Sequence, residues 1–108
     1  MQLSVDQQSG IAVVTVNGSV DSADSDALLS FFDELIQDGQ TRLIADLSQM
    51  DFIVSMGLGV FVQIYTRLRN TGGFLRLAGP QPLVLLLIKT TGLDRLLPIY
   101  DSLPQALK

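Results

Sequence analysis

Apolar and polar side chains alternate at the start of the chain. Leu3 and Val5 sit between polar neighbours and predict a short strand. Gln7-Gln8-Ser9-Gly10 reads as a turn, and Ile11 to Asn17, rich in β-branched residues, reads as a second strand. A turn this short favours an antiparallel hairpin. Gly18 is expected to break that strand, and Asp21 or Ser22 to cap the helix that follows. Leu28, Phe31, Phe32 and Leu35 then recur at helical spacing, with Ile36 widening the stripe and Gly39 as the stop.

The next segment, Arg42 to Leu47, holds the compact apolar run Leu43-Ile44-Ala45, the mark of a central buried strand. A connection through Asp51, Phe52 and Ile53 leads to a second helix from Ser55 to about Asn70. Its stripe is Val60, Phe61, Ile64 and Leu68, broadened by Leu58, Val62 and Tyr65. Gly72-Gly73 ends it, and Phe74 to Ala78 reads as a further strand. Pro82 fits the first turn of a third helix running to about Thr91. Leu93 to Leu97 reads as one more turn, Pro98 to Tyr100 as extended, and Leu103 to Lys108 as a short closing helix. The order β-β-α-β-α-β-α predicts one α/β domain over residues 1–108, a mixed but mostly parallel sheet of four to five strands with helices packed on it.

Composition narrows the chemistry. With 47% apolar and 17% charged residues the chain is built to fold. The net charge of −4 argues against a nucleic-acid partner, which calls for a basic face. The charges are unevenly spread: residues 1–54 hold Arg42 as their single base, and residues 55–108 hold only Asp94 and Asp101 as acids. Either the two halves interleave in one fold, or they form a dipolar surface that orients a charged partner. There is no cysteine and no histidine, so thiolate metal sites, disulfides and the commonest general base are absent. The longest apolar run, Leu83 to Ile88, is far short of the roughly 20 residues that span a bilayer, so direct membrane insertion is not expected. Met1 leads into alternating residues rather than a leader sequence, and a cytoplasmic location is expected. Asp46 and Asp51 are the one carboxylate pair that could do acid/base work, but no nucleophile, base and orienter accompany them. The expectation is a non-enzyme without metal or cofactor.

From Ala45 to Val60 the chain reads Ala-Asp-Leu-Ser-Gln-Met-Asp-Phe-Ile-Val-Ser-Met-Gly-Leu-Gly-Val. This resembles the signature of the STAS family, in particular its bacterial anti-sigma factor antagonists: a strand ending in Asp-Leu-Ser, then Phe-Ile-Asp-Ser-Ser-Gly-Leu-Gly opening a helix. Gly18-Ser19-Val20-Asp21, Thr91-Gly92-Leu93, Ile99-Tyr100-Asp101-Ser102 and Ala106-Leu107 match further family positions in the same order. The resemblance implies a regulator of sigma factors that binds an anti-sigma factor, itself a serine protein kinase. It also implies a phosphoserine at the start of the central helix that ends the binding. Here the pattern departs twice: Val54 replaces the motif's Asp, and Met56 stands at the phosphoacceptor position. Methionine carries no hydroxyl, so the usual switch is expected to be absent.

The start of a helix has unpaired N–H groups and a partial positive charge, so a phosphate there is well placed and adds nearly two negative charges to a contact surface. Val54 and Met56 make the spot apolar instead. The expected partner-binding set is Asp21, Ser22, Val54, Ser55, Met56, Gly57 and Leu58, with Met56 as a degenerate phosphosite. Met56 either folds into the core or faces the partner. Ser55 reads as an ordinary N-cap, or as a relocated phosphosite. Gly57 and Gly59 are expected to permit close backbone approach, and Asp21 either caps the first helix or adjoins the binding surface. The third helix is apolar all round at Val84-Leu85-Leu86-Leu87-Ile88. Leu85 and Leu86 are thus either packed or part of a second interface. Two other readings remain: an accessory subunit of a membrane transporter, docking through that helix, and a homodimeric scaffold.

Overall fold

In the computed structural model, which describes residues 1–108, the hairpin forms as expected. Strand β1 (Gln2–Gln8) runs antiparallel to β2 (Ile11–Val20), Gln8 facing Ile11 across a two-residue loop. Ser9 and Gly10 both take positive φ, 54° and 77°, the conformation that matches the twist of the flanking strands. The remaining pairings are parallel: β2 with β3 (Arg42–Asp46), β3 with β5 (Phe74–Ala78), and β5 with β6 (Ile99–Tyr100). The order is β1-β2-β3-β5-β6, and β4 (Met50–Ile53) adds to the end of β2. The sheet therefore holds six strands: β6 falls in the segment that reads as extended, and β4 within one that reads as a connection.

Gly18 does not end β2. It takes φ 90°, the register shifts between Gly18 and Ser19, and the strand continues to Val20 beside β4. The glycine is a bulge, a device that bends a strand without terminating it. Beyond it, β2 trades one parallel neighbour for another: Ala12 to Thr15 pair with β3, and Gly18 to Val20 with β4.

Helices α1 (Ser22–Gln37), α2 (Ser55–Asn70) and α3 (Pro82–Thr90) contribute to the larger core. There Val14, Val16, Leu43, Ala45, Leu75 and Leu77 of the strands meet Leu28, Phe32, Phe61, Ile64, Leu68, Val84 and Ile88. Phe32 and Phe61 join α1 to α2 edge to face, with centroids 6.0 Å apart. The alternate strand residues Ile11, Val13, Ile44 and Ala78 form a smaller cluster with Ala106 of α4 (Leu103–Leu107). Arg76 fastens that short helix: its guanidinium donates to the Ala106 carbonyl at 2.7 Å and lies 3.9 Å from the Phe74 ring centroid. The acidic and basic halves interleave at α1 and α2, where Asp33 and Arg67 form an ion pair.

Two glycines open α2, and they do different jobs. A Cβ on Gly57 would fall 2.8 Å from Ile53 Cγ1 and 3.0 Å from Val20 Cγ1, so its bareness lets the first turn rest on the ends of β2 and β4. A Cβ on Gly59 would meet nothing within 4 Å. The expectation of close approach holds at Gly57 and fails at Gly59. Gly57→Ala should therefore destabilise the domain by about 1–3 kcal/mol through overpacking. Gly59→Ala should stabilise it by up to about 1 kcal/mol through helix propensity. Chemical denaturation of the two variants beside the parent checks the opposite signs.

Candidate functional site

In a parallel sheet every helix that follows a strand starts at the same edge. Here Asp21, Val54 and Gln81, the N-caps of α1, α2 and α3, follow or neighbour the carboxyl ends of β2, β4 and β5. Such an edge is where open α/β sheets place their binding surfaces. The two first helices are tied together there: the Val54 N–H donates to the Val20 carbonyl at 3.0 Å, one residue before Asp21.

Val54 is itself the N-cap of α2, with φ −82° and ψ 164°, and its carbonyl accepts the first helical bond, from Leu58 N–H at 3.1 Å. Ser55 is thus the first helical residue, which corrects its reading as the cap. The cap must be the extended residue whose carbonyl starts the helix, and pairing with β2 holds Val54 in that conformation. No side chain caps α2, and no acidic residue lies in its first turn. Ser55 is exposed.

The helical turn then sorts the predicted set into two sides. Met56 is 59% exposed, so it faces outward rather than into the core. Val54 is partly buried beside it. Gly57 and Leu58 point inward; Leu58 is 2% exposed and belongs to the core, so neither offers a side-chain contact to a partner. A residue absent from the sequence-based set joins the surface instead: Phe52 of β4 is 41% exposed. No periodic signal in the sequence marked it: β4 buries Met50 and Ile53 and exposes both Asp51 and Phe52, so alternation does not sort its faces.

Asp21 forms a reciprocal capping box. Its carboxylate accepts the Asp24 N–H at 2.9 Å, and the Asp24 carboxylate accepts the Asp21 N–H at 3.0 Å. The hydrogen bond from the Asp21 backbone holds the Asp24 carboxyl below its ordinary value of 3.8. Asp21 and Ser22 are both exposed, so the capping role leaves them on the surface beside α2. Asp46, weighed above as an acid, accepts the Ser48 N–H at 3.0 Å within a turn.

On α3, Val84 and Ile88 are buried while Leu86 is 59% and Leu83 49% exposed. Leu85 is half-buried and lines a cleft of about 370 Å³ with Pro80, Lys89, Asp94, Pro98 and Ile99. Of the predicted pair, Leu86 is therefore exposed, with Leu83 as its unforeseen exposed neighbour, and Leu85 is a wall of the cleft rather than a ridge. The Gln81 side chain donates to the Ser48 carbonyl at 2.8 Å and ties the start of α3 to the loop before β4. No helix is long and apolar enough to cross a membrane, and no three metal-ligating side chains come together.

Comparison with known proteins agrees with this geometry. The family model described as the STAS domain matches residues 2–106. An anti-sigma F factor antagonist of Paenibacillus polymyxa is 31% identical over 108 residues, covering 99% of this chain and 92% of that protein. The crystal structure of an anti-sigma factor antagonist from Mycobacterium paratuberculosis superposes with a TM-score of 0.86 at 31% identity, over 98% of this chain and 90% of that one. The anti-sigma factor antagonist SpoIIAA in its unphosphorylated form shares the fold alone: its TM-score is 0.82 at 18% identity, over 98% and 93% of the two chains. A mostly parallel sheet with a bulged β2, a short β4 leading into α2, and a family match over nearly every residue place this chain in the STAS domain family.

Proposed function

We propose that this protein is a non-catalytic regulator of the anti-sigma factor antagonist type, binding an anti-sigma factor or serine-kinase-like protein without a phosphoserine switch. Met56 carries the reading. It occupies the family's phosphoacceptor position in the first turn of α2, has no hydroxyl, and is 59% exposed. The contact surface is Met56 with Phe52, Val54 and Ser55, flanked by Asp21 and Ser22. Methionine is flexible and polarisable, suited to fitting an apolar recess on a partner. Full burial of such a side chain contributes roughly 1.5–3 kcal/mol. The relatives named as anti-sigma factor antagonists support the class of partner.

The exposed Leu83 and Leu86 favour a second reading, docking of α3 on a membrane transporter or its ATPase. A pull-down separates the two by what it recovers, a kinase-like regulator or transporter subunits.

Incubation with the cognate kinase and ATP should leave the intact mass unchanged, whereas Met56→Ser should gain one phosphate. A phosphate on Ser55 of the parent protein would sink the constitutive version. Met56→Asp should weaken the complex by about 10- to 100-fold, because a charge then meets an apolar recess. Folding should be unharmed, since an acid in the first turn suits the helix dipole. Calorimetric titration and thermal unfolding read the two effects separately, and unaltered affinity would remove Met56 from the contact.

A further inference from the structure

We propose that β1 pairs with β1 of a second copy, joining two sheets edge to edge about a two-fold axis centred on Val5. Strand β1 bonds only to β2, so its other side is a free edge seven residues long. Natural edges are blunted by lysine, proline, bulges or a covering element. This one has no lysine or proline, keeps an unbroken register from Gln2 to Gln8, and carries one charged side chain, Asp6.

The hairpin decides which backbone groups are free. A two-residue loop is closed by a hydrogen-bonded pair, here Gln8 and Ile11. Bonded and non-bonded pairs alternate along an antiparallel ladder, so Asp6, Ser4 and Gln2 also bond to β2. Leu3, Val5 and Gln7 therefore turn their N–H and C=O groups outward. Those three positions are symmetric about Val5. In an antiparallel pair centred there, Val5 meets Val5 and Leu3 meets Gln7 of the second copy, so every outward group finds a partner. The side chains agree with that register. Val5, 43% exposed, is covered by its own copy, and Asp6 lies opposite a Ser4 hydroxyl instead of another carboxylate. A one-residue slip would set bonded positions against free ones and lose the ladder. The match is to the strand itself, which makes a second copy the occupant. The edge lies on β1, whereas the proposed partner surface lies on β4 and α2, so both can be occupied together.

One strand pair buries less surface than a stable interface needs, so the dimer should be weak, with a dissociation constant on the order of 0.1 mM. Sedimentation velocity from micromolar to millimolar protein should show a rising weight-average mass. Val5→Pro removes an outward N–H and no bond to β2, and should weaken association at least about tenfold. Val5→Lys gives the same readout if proline disturbs folding, which circular dichroism checks. Leu86→Asp should leave association unchanged. In hydrogen exchange, the Leu3, Val5 and Gln7 amides should gain protection as concentration rises. A wild-type chain that stays monomeric at millimolar concentration overturns the proposal. So does association that survives both Val5 variants or is abolished by Leu86→Asp.

Discussion

The first turn of α2 rests on the chain beneath it at one point, Gly57, where the backbone lies against Ile53 and Val20 with no room for a methyl group. This contact fixes more than packing. The helical repeat of about 100° per residue sets Met56 and Leu58 to either side of it, and of these two Leu58 packs into the core while Met56 is left outside. The parallel pairing of β4 with the end of β2 holds the floor in place, and the bulge at Gly18 lets β2 reach that far. The Val54 N–H then bonds to the Val20 carbonyl, which sets the entry angle of the helix.

Much of this was legible in the sequence, and the misses share a cause. The long elements were readable because burial imposes a period: α1 and α2 each bury one stripe, and β3 is an unbroken apolar run covered on both faces. The short elements carry no period. Strand β4 has Met50 and Ile53 inward with Asp51 and Phe52 outward, a pattern with no alternation to detect. Gly18 looked like a stop because a lone glycine reads the same whether a strand ends or bulges there. Ser55 looked like a cap because its side chain suits one; the cap went to Val54, whose extended conformation comes from pairing to β2, a contact distant in sequence. The family resemblance pointed to the start of α2, but a motif does not say which of its residues face outward. Helix geometry does, and it exchanged Gly57 and Leu58 for Phe52.

The lopsided charge of the sequence also changes meaning in the fold. Acids crowd the first half and bases the second, yet α1 and α2 lie side by side and Asp33 pairs with Arg67 between them. An exposed pair of this kind contributes little stability. Its interest is in sign: part of the apparent dipole along the chain is folded into neighbouring helices, while Asp21 stays at the carboxyl edge of the sheet with its carboxylate already engaged by the Asp24 N–H. A partner would meet that acid as the fixed end of a capping box, not as a free side chain.

The proposed Met56 contact would leave control to something other than a phosphate. A helix start with no side-chain cap and no acid in its first turn has N–H groups that favour an anion. A hydroxyl placed there can acquire a phosphate, and the same surface then has two affinities. In the proposed complex, with Met56 in that place, the gain on binding would come from apolar burial, which is insensitive to protonation. Regulation of such a contact has to come from elsewhere: from the amount of either protein, from a competitor for the partner, or from a second surface. The free edge of β1 and the exposed leucines of α3 are the two features able to supply that second surface. The β1 edge lies on a different strand from the Met56 ridge, so control through it would change how many copies present the ridge without altering the ridge itself.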